Sequence, residues 1–302
     1  MRTLAITGFV TLATAAATSV AMGQALHAID SDRNYYTIDR ASGGRSLRDT
    51  FPEALGTPGG LAFHVPSGRV FISSLSADAM FIVDEYFGGI YFVGSFMGAS
   101  GDVRDIEWND ANNTMYGVSD TSLYTISVAS GAATLVASTG ISGITALAHD
   151  MTNDVMYMVS ASTDSLYSVD LETGTATLVG TLNGPTSPSA LAYVLEDDTL
   201  YLLCGDTNAL YSVDRATGVA TFIGDTGPGE LVGLVWLFDP DATSCPPCTP
   251  DYDNNGGVDG GDLAAFFADF EAGAPCADVD FDGGVTGADM GWFMDCFERC
   301  AC

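Results

Sequence analysis

Cationic side chains are what this chain has least of: lysine and arginine together number 9 against 39 aspartates and glutamates, a formal net charge of −30. Nucleic acid and anionic membrane surfaces are poor partners for such a chain, because binding them by counterion release needs clustered cations. Divalent cations and neutral ligands suit it better. Histidine is almost as rare, with His27, His64 and His149 alone, and no nucleophile elbow, phosphate-binding loop or histidine-rich metal set appears. Before residue 245 the one cysteine is Cys204, which stands in a column of small residues and reads as a buried thiol.

Long apolar runs are confined to the amino end. After Arg2 the stretch Leu4 to Val20 has no charge and ends near Ala21-Met22-Gly23 and Ala25. It reads as a secretory signal peptide over residues 1–25, cleaved around residues 23 to 25. Five threonines and serines dilute the run, which favours export over a permanent anchor. No later segment is apolar enough to span a bilayer, so a secreted, extracellular or surface-associated product is expected. A hydrophobic content of 47% is ample for a core.

What the chain has in abundance is a repeat. From Tyr157 to Tyr193 four runs of four to five residues, rich in Val, Leu, Thr and Tyr, are separated by Gly, Asp, Ser and Thr; this is an antiparallel meander. Tyr36, Phe81, Tyr124, Tyr167 and Tyr211 mark the same strand at spacings of 45, 43, 43 and 44. A period of about 40 to 45 residues with four strands each is that of a propeller blade, because a lone four-stranded sheet must stack on neighbours to bury both faces. Leu26-His27-Ala28-Ile29-Asp30 aligns with the second strand of later repeats, and Gly233-Leu234-Val235-Trp236 is a first strand with no second after it. The two ends therefore complete one shared blade, and residues 26–238 form an all-β, five-bladed propeller with terminal-strand closure.

The columns of the repeat make physical sense. In the first strand Leu61, Ile106, Leu147, Leu191 and Leu234 align, and two residues on come Phe63, Trp108, His149, Tyr193 and Trp236; the period of two puts both columns on one face. In the second strand Phe71, Tyr116, Tyr157 and Tyr201 precede Ser74, Ser119, Ser160 and Cys204 by three places, which suggests aromatic-against-small contacts between blades. Asp39, Asp84, Asp170 and Asp214, with Ser127 in one repeat, precede a glycine by four residues. Such carboxylates cap tight turns, a stronger reading than an acidic site. The variable return loops, where binding is expected, carry Asp49 and Glu53, then Asp102, Arg104 and Asp105, then residues 182–188, and lastly Asp225 and Glu230. Asp102 and Asp105 with Arg104 are the one charged cluster there; a carboxylate pair could serve a glycosidase, but solvated charges are the simpler reading.

Residues 239–250 form a Pro/Cys linker, and the last 52 residues, 251–302, change character. Asp251, Asp253, Asn255, Gly256, Asp259 and Asp262 occupy positions 1, 3, 5, 6, 9 and 12 of a calcium loop, with Gly257 at the backbone-carbonyl position. Asp278, Asp280, Asp282, Gly283, Thr286 and Asp289 repeat the pattern 27 residues on, with Gly284 in the matching place. Alternating carboxylates on a loop bent by Gly can supply the roughly seven oxygens that calcium takes, so two Ca2+ sites are expected. Each loop leads into a helix with one apolar stripe: Leu263, Phe266, Phe267 and Phe270, then Met290, Phe293, Met294 and Phe297. The two stripes can face each other.

This duplicated loop-helix motif, with Asp at position 12, resembles a type I dockerin. The resemblance covers residues 251–299 and implies a small α-helical calcium-binding domain that folds with its metal and docks onto a cohesin-like receptor. At loop positions 10 and 11, where dockerins often carry recognition side chains, stand Gly260-Gly261 and Gly287-Ala288. More loosely, the repeats resemble secreted propellers of the NHL and quinoprotein-like groups. Cys245, Cys248, Cys276, Cys296, Cys300 and Cys302 form an even set in an exported tail, which implies disulfides with 15 allowed connectivities. The expected function is a secreted, non-catalytic binding or scaffold propeller, with a carbohydrate or protein ligand on its loop face, anchored through the tail. A propeller glycoside hydrolase or polysaccharide lyase on the same adaptor is the alternative, and a ligand-free surface protein a third. Carboxylates or a histidine converging at the mouth of the central channel would favour the enzyme.

Overall fold

The computed structural model describes residues 25–84, 89–237, 252, 259–274, 277, 279 and 285–300. The first blade is built from both ends of the ring: β1 (Ala25–Asp30), β2 (Asn34–Ile38) and β3 (Arg45–Thr50), with β20 (Leu231–Leu237) as its inner strand. The second holds β4 (Pro58–His64), β5 (Arg69–Ser74), β6 (Ala79–Asp84) and β7 (Gly89–Ser95). The third holds β8 (Asp105–Asn109), β9 (Thr114–Val118), β10 (Ser122–Ile126) and β11 (Ala133–Ser138). The fourth runs β12 (Ile144–Asp150), β13 (Val155–Ser160), β14 (Ser165–Val169) and β15 (Ala176–Thr181). The fifth runs β16 (Pro188–Val194), β17 (Thr199–Cys204), β18 (Ala209–Val213) and β19 (Ala220–Asp225). All ladders are antiparallel, and β20 pairs with β1 from Ala25↔Leu237 to Asp30↔Leu231. Each inner strand lies against the next: β4 on β8, β8 on β12, β12 on β16, β16 on β20 and β20 on β4. The chain is a closed five-bladed β-propeller.

Burial follows distance from the axis. Inner strands such as β12 and β16 are buried almost throughout, whereas the outer β15 shows mostly half-buried and exposed residues. That is why first strands read as near-continuous apolar runs and fourth strands do not. Five apolar clusters fill the five seams, each joining one face of a blade to the opposite face of its neighbour. In the seam between blades four and five, Ala146 and Ala148 receive Leu191 and Tyr193; in the next, Ala190 and Ala192 receive Leu234 and Trp236. Each large side chain so buried contributes about 1.5–3 kcal/mol. Large does pack against small between blades, but the small partners are the inner-strand alanines, because the blades are closest together at the axis. The Ser74–Cys204 column has another use: Ser74 donates to the carbonyl of Leu55, Ser160 to Ser142 at 2.7 Å, and Cys204 to Thr186. These bonds clamp the return loops to the sheet.

The turn aspartates act as expected. Asp170 accepts the amides of Glu172 and Thr173, Asp214 those of Ala216 and Thr217, and Asp39 those of Ala41 and Ser42. These amides hold the carboxyls of Asp170 and Asp214 below the usual carboxylate range. The side chain of Asp84 lies outside the described residues.

Every outer strand is bulged where it meets its aromatic partner, the register slipping beside Tyr36, Phe81, Tyr124, Tyr167 and Tyr211. Such slips blunt an edge that would otherwise recruit another strand. Opposite these aromatics stand Leu47, Phe92, Leu135, Leu178 and Phe222, one exposed apolar side chain per blade. Phe92 meets Phe81 edge-on at 5.5 Å and Phe222 meets Tyr211 at 5.7 Å. Because these pairs are half in water, Phe92→Thr and Phe222→Thr should each cost about 0.5–1.5 kcal/mol, read from urea midpoints; a larger loss would mean the outer ring carries core packing.

In the tail, α1 (Gly260–Ala272) and α2 (Gly287–Cys300) bring their stripes together. Phe266 and Phe293 stack with centroids 4.0 Å apart, and Tyr252 packs edge-on against both. Among the described residues no helix is long and apolar enough to cross a membrane.

Candidate functional site

The five inner strands end around one small cavity. Its walls come from the aromatic column of the repeat, Phe63, Trp108, His149, Tyr193 and Trp236, joined by Glu107 and Asp110, and it encloses about 20 Å³. That is room for one water-sized group. These residues sit near the carboxyl ends of their strands, so the cavity lies on the side of the ring carrying the strand-one-to-two turns, away from the return loops.

Its acidic character comes from a break in the repeat. Flanking the Leu column, the other blades place Gly60 and Ala62, Ala146 and Ala148, Ala190 and Ala192, Gly233 and Val235; blade three places Asp105 and Glu107. Asp105 accepts the amide of Ile106 at 2.9 Å and, across the seam, that of Leu147 at 2.7 Å. Glu107 accepts the amide of His149 at 3.1 Å. Two carboxylates thus tie β8 to β12 where small residues serve elsewhere. Gly60 makes space for this arrangement: a Cβ there would lie 1.4 Å from Asp105 Oδ1.

Burial pushes both carboxyls well above the carboxylate range, and for Glu107 the nearby Asp105 and Asp110 add to it. Asp110 is raised by burial too, with His149 and Trp108 opposing. His149 is almost wholly buried, and its Nε2 stands 3.0 Å from Asp154 Oδ1. Asp154 offers Nε2 a hydrogen-bond acceptor. Nδ1 is buried without a hydrogen-bond partner among the described residues.

The charged cluster expected on a return loop is divided. Asp102 and Arg104 are exposed, whereas Asp105 opens β8, is buried and spends its oxygens on amides. The partner of Asp105 is Glu107, two residues on, not Asp102. On the other return loops Glu53 and Glu230 are exposed, while Leu182, Pro185 and Pro188 are tucked in. The sequence reading missed Glu107 and Asp110. For Glu107 the signal lay in the Gly/Ala columns, where an acid in a single repeat is out of place.

Of the expected calcium ligands, Asp251, Asp253, Asn255, Gly257, Asp278, Asp280, Asp282 and Gly284 lie outside the described residues. Asp259 and Asp262, and Thr286 and Asp289, are brought together. Asp259 caps α1, accepting the amide of Gly261 at 2.6 Å, while Asp262 accepts that of Asp259 at 2.7 Å. Asp289 accepts the amides of Thr286 at 2.6 Å and Val279 at 2.7 Å. Both position-12 carboxylates are wholly buried. Among the described residues no group of three or more His, Cys, Asp or Glu converges on one point. Cys245, Cys248, Cys276 and Cys302, and the side chains of Cys296 and Cys300, lie outside the described residues.

No protein-family model matches the chain, and no curated protein sequence is similar to it. Solved structures do match. A chain of a nidogen/laminin complex is similar at 11% identity with a TM-score of 0.54, covering 72% of this chain and 99% of that one. A virginiamycin B lyase from Staphylococcus aureus is similar at 13% identity with a TM-score of 0.44, covering 65% of this chain and 64% of that one. The first likeness shows the fold.

Proposed function

We propose that this chain is an exported, non-catalytic binding protein whose propeller displays ligand surfaces and whose tail, loaded with two calcium ions, anchors it to a cohesin-like receptor or surface assembly. The observation that carries the anchoring half is the pair Asp262 and Asp289, two wholly buried carboxylates at equivalent helix starts. Burying a carboxylate is costly unless charge or hydrogen bonds compensate it, and a divalent ion would add positive charge to the amides already there. In the first loop Asp251, Asp253, Asn255, Gly257, Asp259 and Asp262 would hold the ion, and in the second Asp278, Asp280, Asp282, Gly284, Thr286 and Asp289. The metal would supply cross-linking of loop to helix and hence folding free energy. The nidogen/laminin neighbour comes from a complex of proteins, which supports a protein ligand for the ring alongside carbohydrate.

The hydrolase or lyase reading is disfavoured by dimensions. The channel-mouth acids surround about 20 Å³, too little for a sugar ring, and Asp105 and Glu107 are engaged with the backbone of β12.

Calcium titration of the full chain by calorimetry should give two sites, and Asp262→Asn with Asp289→Asn should remove them while the propeller's melting temperature holds. Capture of a surface receptor should be lost in chelator. A titration without heat, or one the double variant leaves unchanged, contradicts the anchoring role.

A further inference from the structure

We propose that two equivalent clefts in the seams on either side of blade five bind successive units of one neutral polyhydroxyl chain, an oligosaccharide. This rests on the binding role proposed for the ring and names the ligand class and its place, on the face opposite the return loops. One cleft, of about 420 Å³, is lined by Thr37, Asp39, Arg40 and Ser46 of the first blade. The other, of about 580 Å³, is lined by Ser212, Asp214, Arg215 and Thr221 of the fifth. These are the same four columns of the repeat: Thr37 faces Ser46 and Ser212 faces Thr221 on paired strands, and each arginine follows a turn aspartate. Both volumes are those of ligand clefts.

A break in the repeat sets these two seams apart. At the column of the arginine, blades three and four carry Val128 and Leu171, which pack onto the apolar clusters of their seams; Glu85 of blade two lies outside the described residues. Arg40 and Arg215, two of only 9 cationic side chains in the chain, are drawn sideways instead. Arg40 reaches Glu196 and, at 2.6 Å, Asp197 in the strand-one-to-two turn of blade five. Arg215 reaches Asp150 of blade four and, at 2.7 Å, Asp198. Held there, neither fills its seam as valine and leucine do.

The lining selects the ligand. Its charges are already engaged: Asp39 and Asp214 accept turn amides, and Asp197 and Asp198 accept the hydroxyls of Tyr201 at 2.8 Å and Tyr193 at 2.6 Å besides their arginines. What stays open is hydroxyl. Ser46, Ser212 and Thr221 have no hydrogen-bond partner among the described residues, and a hydroxyl both donates and accepts. Its match is a ligand that does both without charge; an anion would meet the overall charge of −30. Two such clefts in neighbouring seams suit a chain that repeats, because the second contact is then intramolecular.

Affinity electrophoresis and calorimetry of the full chain with dextran, galactomannan and arabinoxylan test this, with hexalysine as the charged comparator. At least one neutral chain should bind and hexalysine should not. Ser212→Ala with Thr221→Val, or Thr37→Val with Ser46→Ala, removes the hydroxyls of one cleft at positions that are half-buried or exposed. Either pair should weaken the polymer about a hundredfold, since it loses its second foothold, and should reduce the stoichiometry of the matching trisaccharide from two to one. Arg40→Leu, which gives the first cleft the side chain of blade four, should do the same. A merely structural role for these residues would not change the stoichiometry. Binding of hexalysine in place of the neutral chains, or of none of the three chains, would overturn the assignment. A neutral chain bound equally by wild type and both pairs would remove the clefts while leaving a carbohydrate-binding ring. None of these outcomes touches the calcium titration, so failure here and failure of the anchoring role are told apart.

Discussion

Gly224→Ala is expected to destabilise the propeller by about 3 kcal/mol or more, a large part of the stability of an ordinary domain. Gly224 lies on β19, against the strand-three-to-four turn of the first blade. A Cβ there would fall 1.8 Å from the carbonyl oxygen of Ser42 and 2.6 Å from its carbon. Both atoms are backbone, so no rotamer change relieves the clash; the blades must move apart. The seams at Gly180 and Gly94 have the same construction, with Thr217 O at 1.9 Å and Ser130 O at 1.8 Å. Blade three carries Ala137 at this column, facing Gly174, whose φ is +68°. Ala137→Gly is therefore the control and should cost only about 0.5–1 kcal/mol. Urea midpoints for the two variants decide it: a Gly224→Ala midpoint equal to wild type would mean the seam is soft.

Acidification from pH 7 to 4 should weaken the ring, and His27 and His64 should be the main cause. Burial, and secondarily Arg48 and Arg69, push these two rings down to about 4 from the ordinary 6.5. The fold keeps them neutral while the unfolded chain takes up protons near pH 6.5. Their stabilisation is therefore full above 6.5 and is lost progressively as pH falls to about 4, up to about 3 kcal/mol for each ring. Asp105 and Glu107 act the other way. Their folded values are raised, so their contribution is full below the ordinary carboxylate range and declines as pH rises. Between pH 4 and 6.5 the two sets oppose, so Glu107→Gln should steepen the acid loss and His27→Leu should flatten it. Below 3.8 protonation of Asp170 and Asp214 adds a further, smaller loss. Unfolding free energies at successive pH values measure the slopes; a slope that His27→Leu leaves untouched would refute the assignment.

The ring was legible because its determinants are local and repeated. Leu61, Ile106, Leu147, Leu191 and Leu234 recur once per repeat, and each is buried in its seam. Closure could be read from Leu26 to Asp30 starting one strand late. The site was less legible. Trp108, His149, Tyr193 and Trp236 looked like ordinary packing, which they also are; that their ends meet around one cavity depends on the ring's radius, which no column states. Asp105 looked like a loop residue because it follows Arg104, yet the strand begins with it. Only its burial and its bond to Leu147, 42 positions away in the chain, reveal it as a seam residue.

The pairing of Ala25 with Leu237 also bears on how the sequence could be rearranged. Both ends of the ring lie side by side on adjacent strands of one sheet, so a short peptide could join them and a cut could be made elsewhere, as at the exposed Ser162-Thr163 turn. A circular permutant of that kind would keep all five seams, and the order of the blades along the chain would then be a matter of where translation starts rather than of architecture.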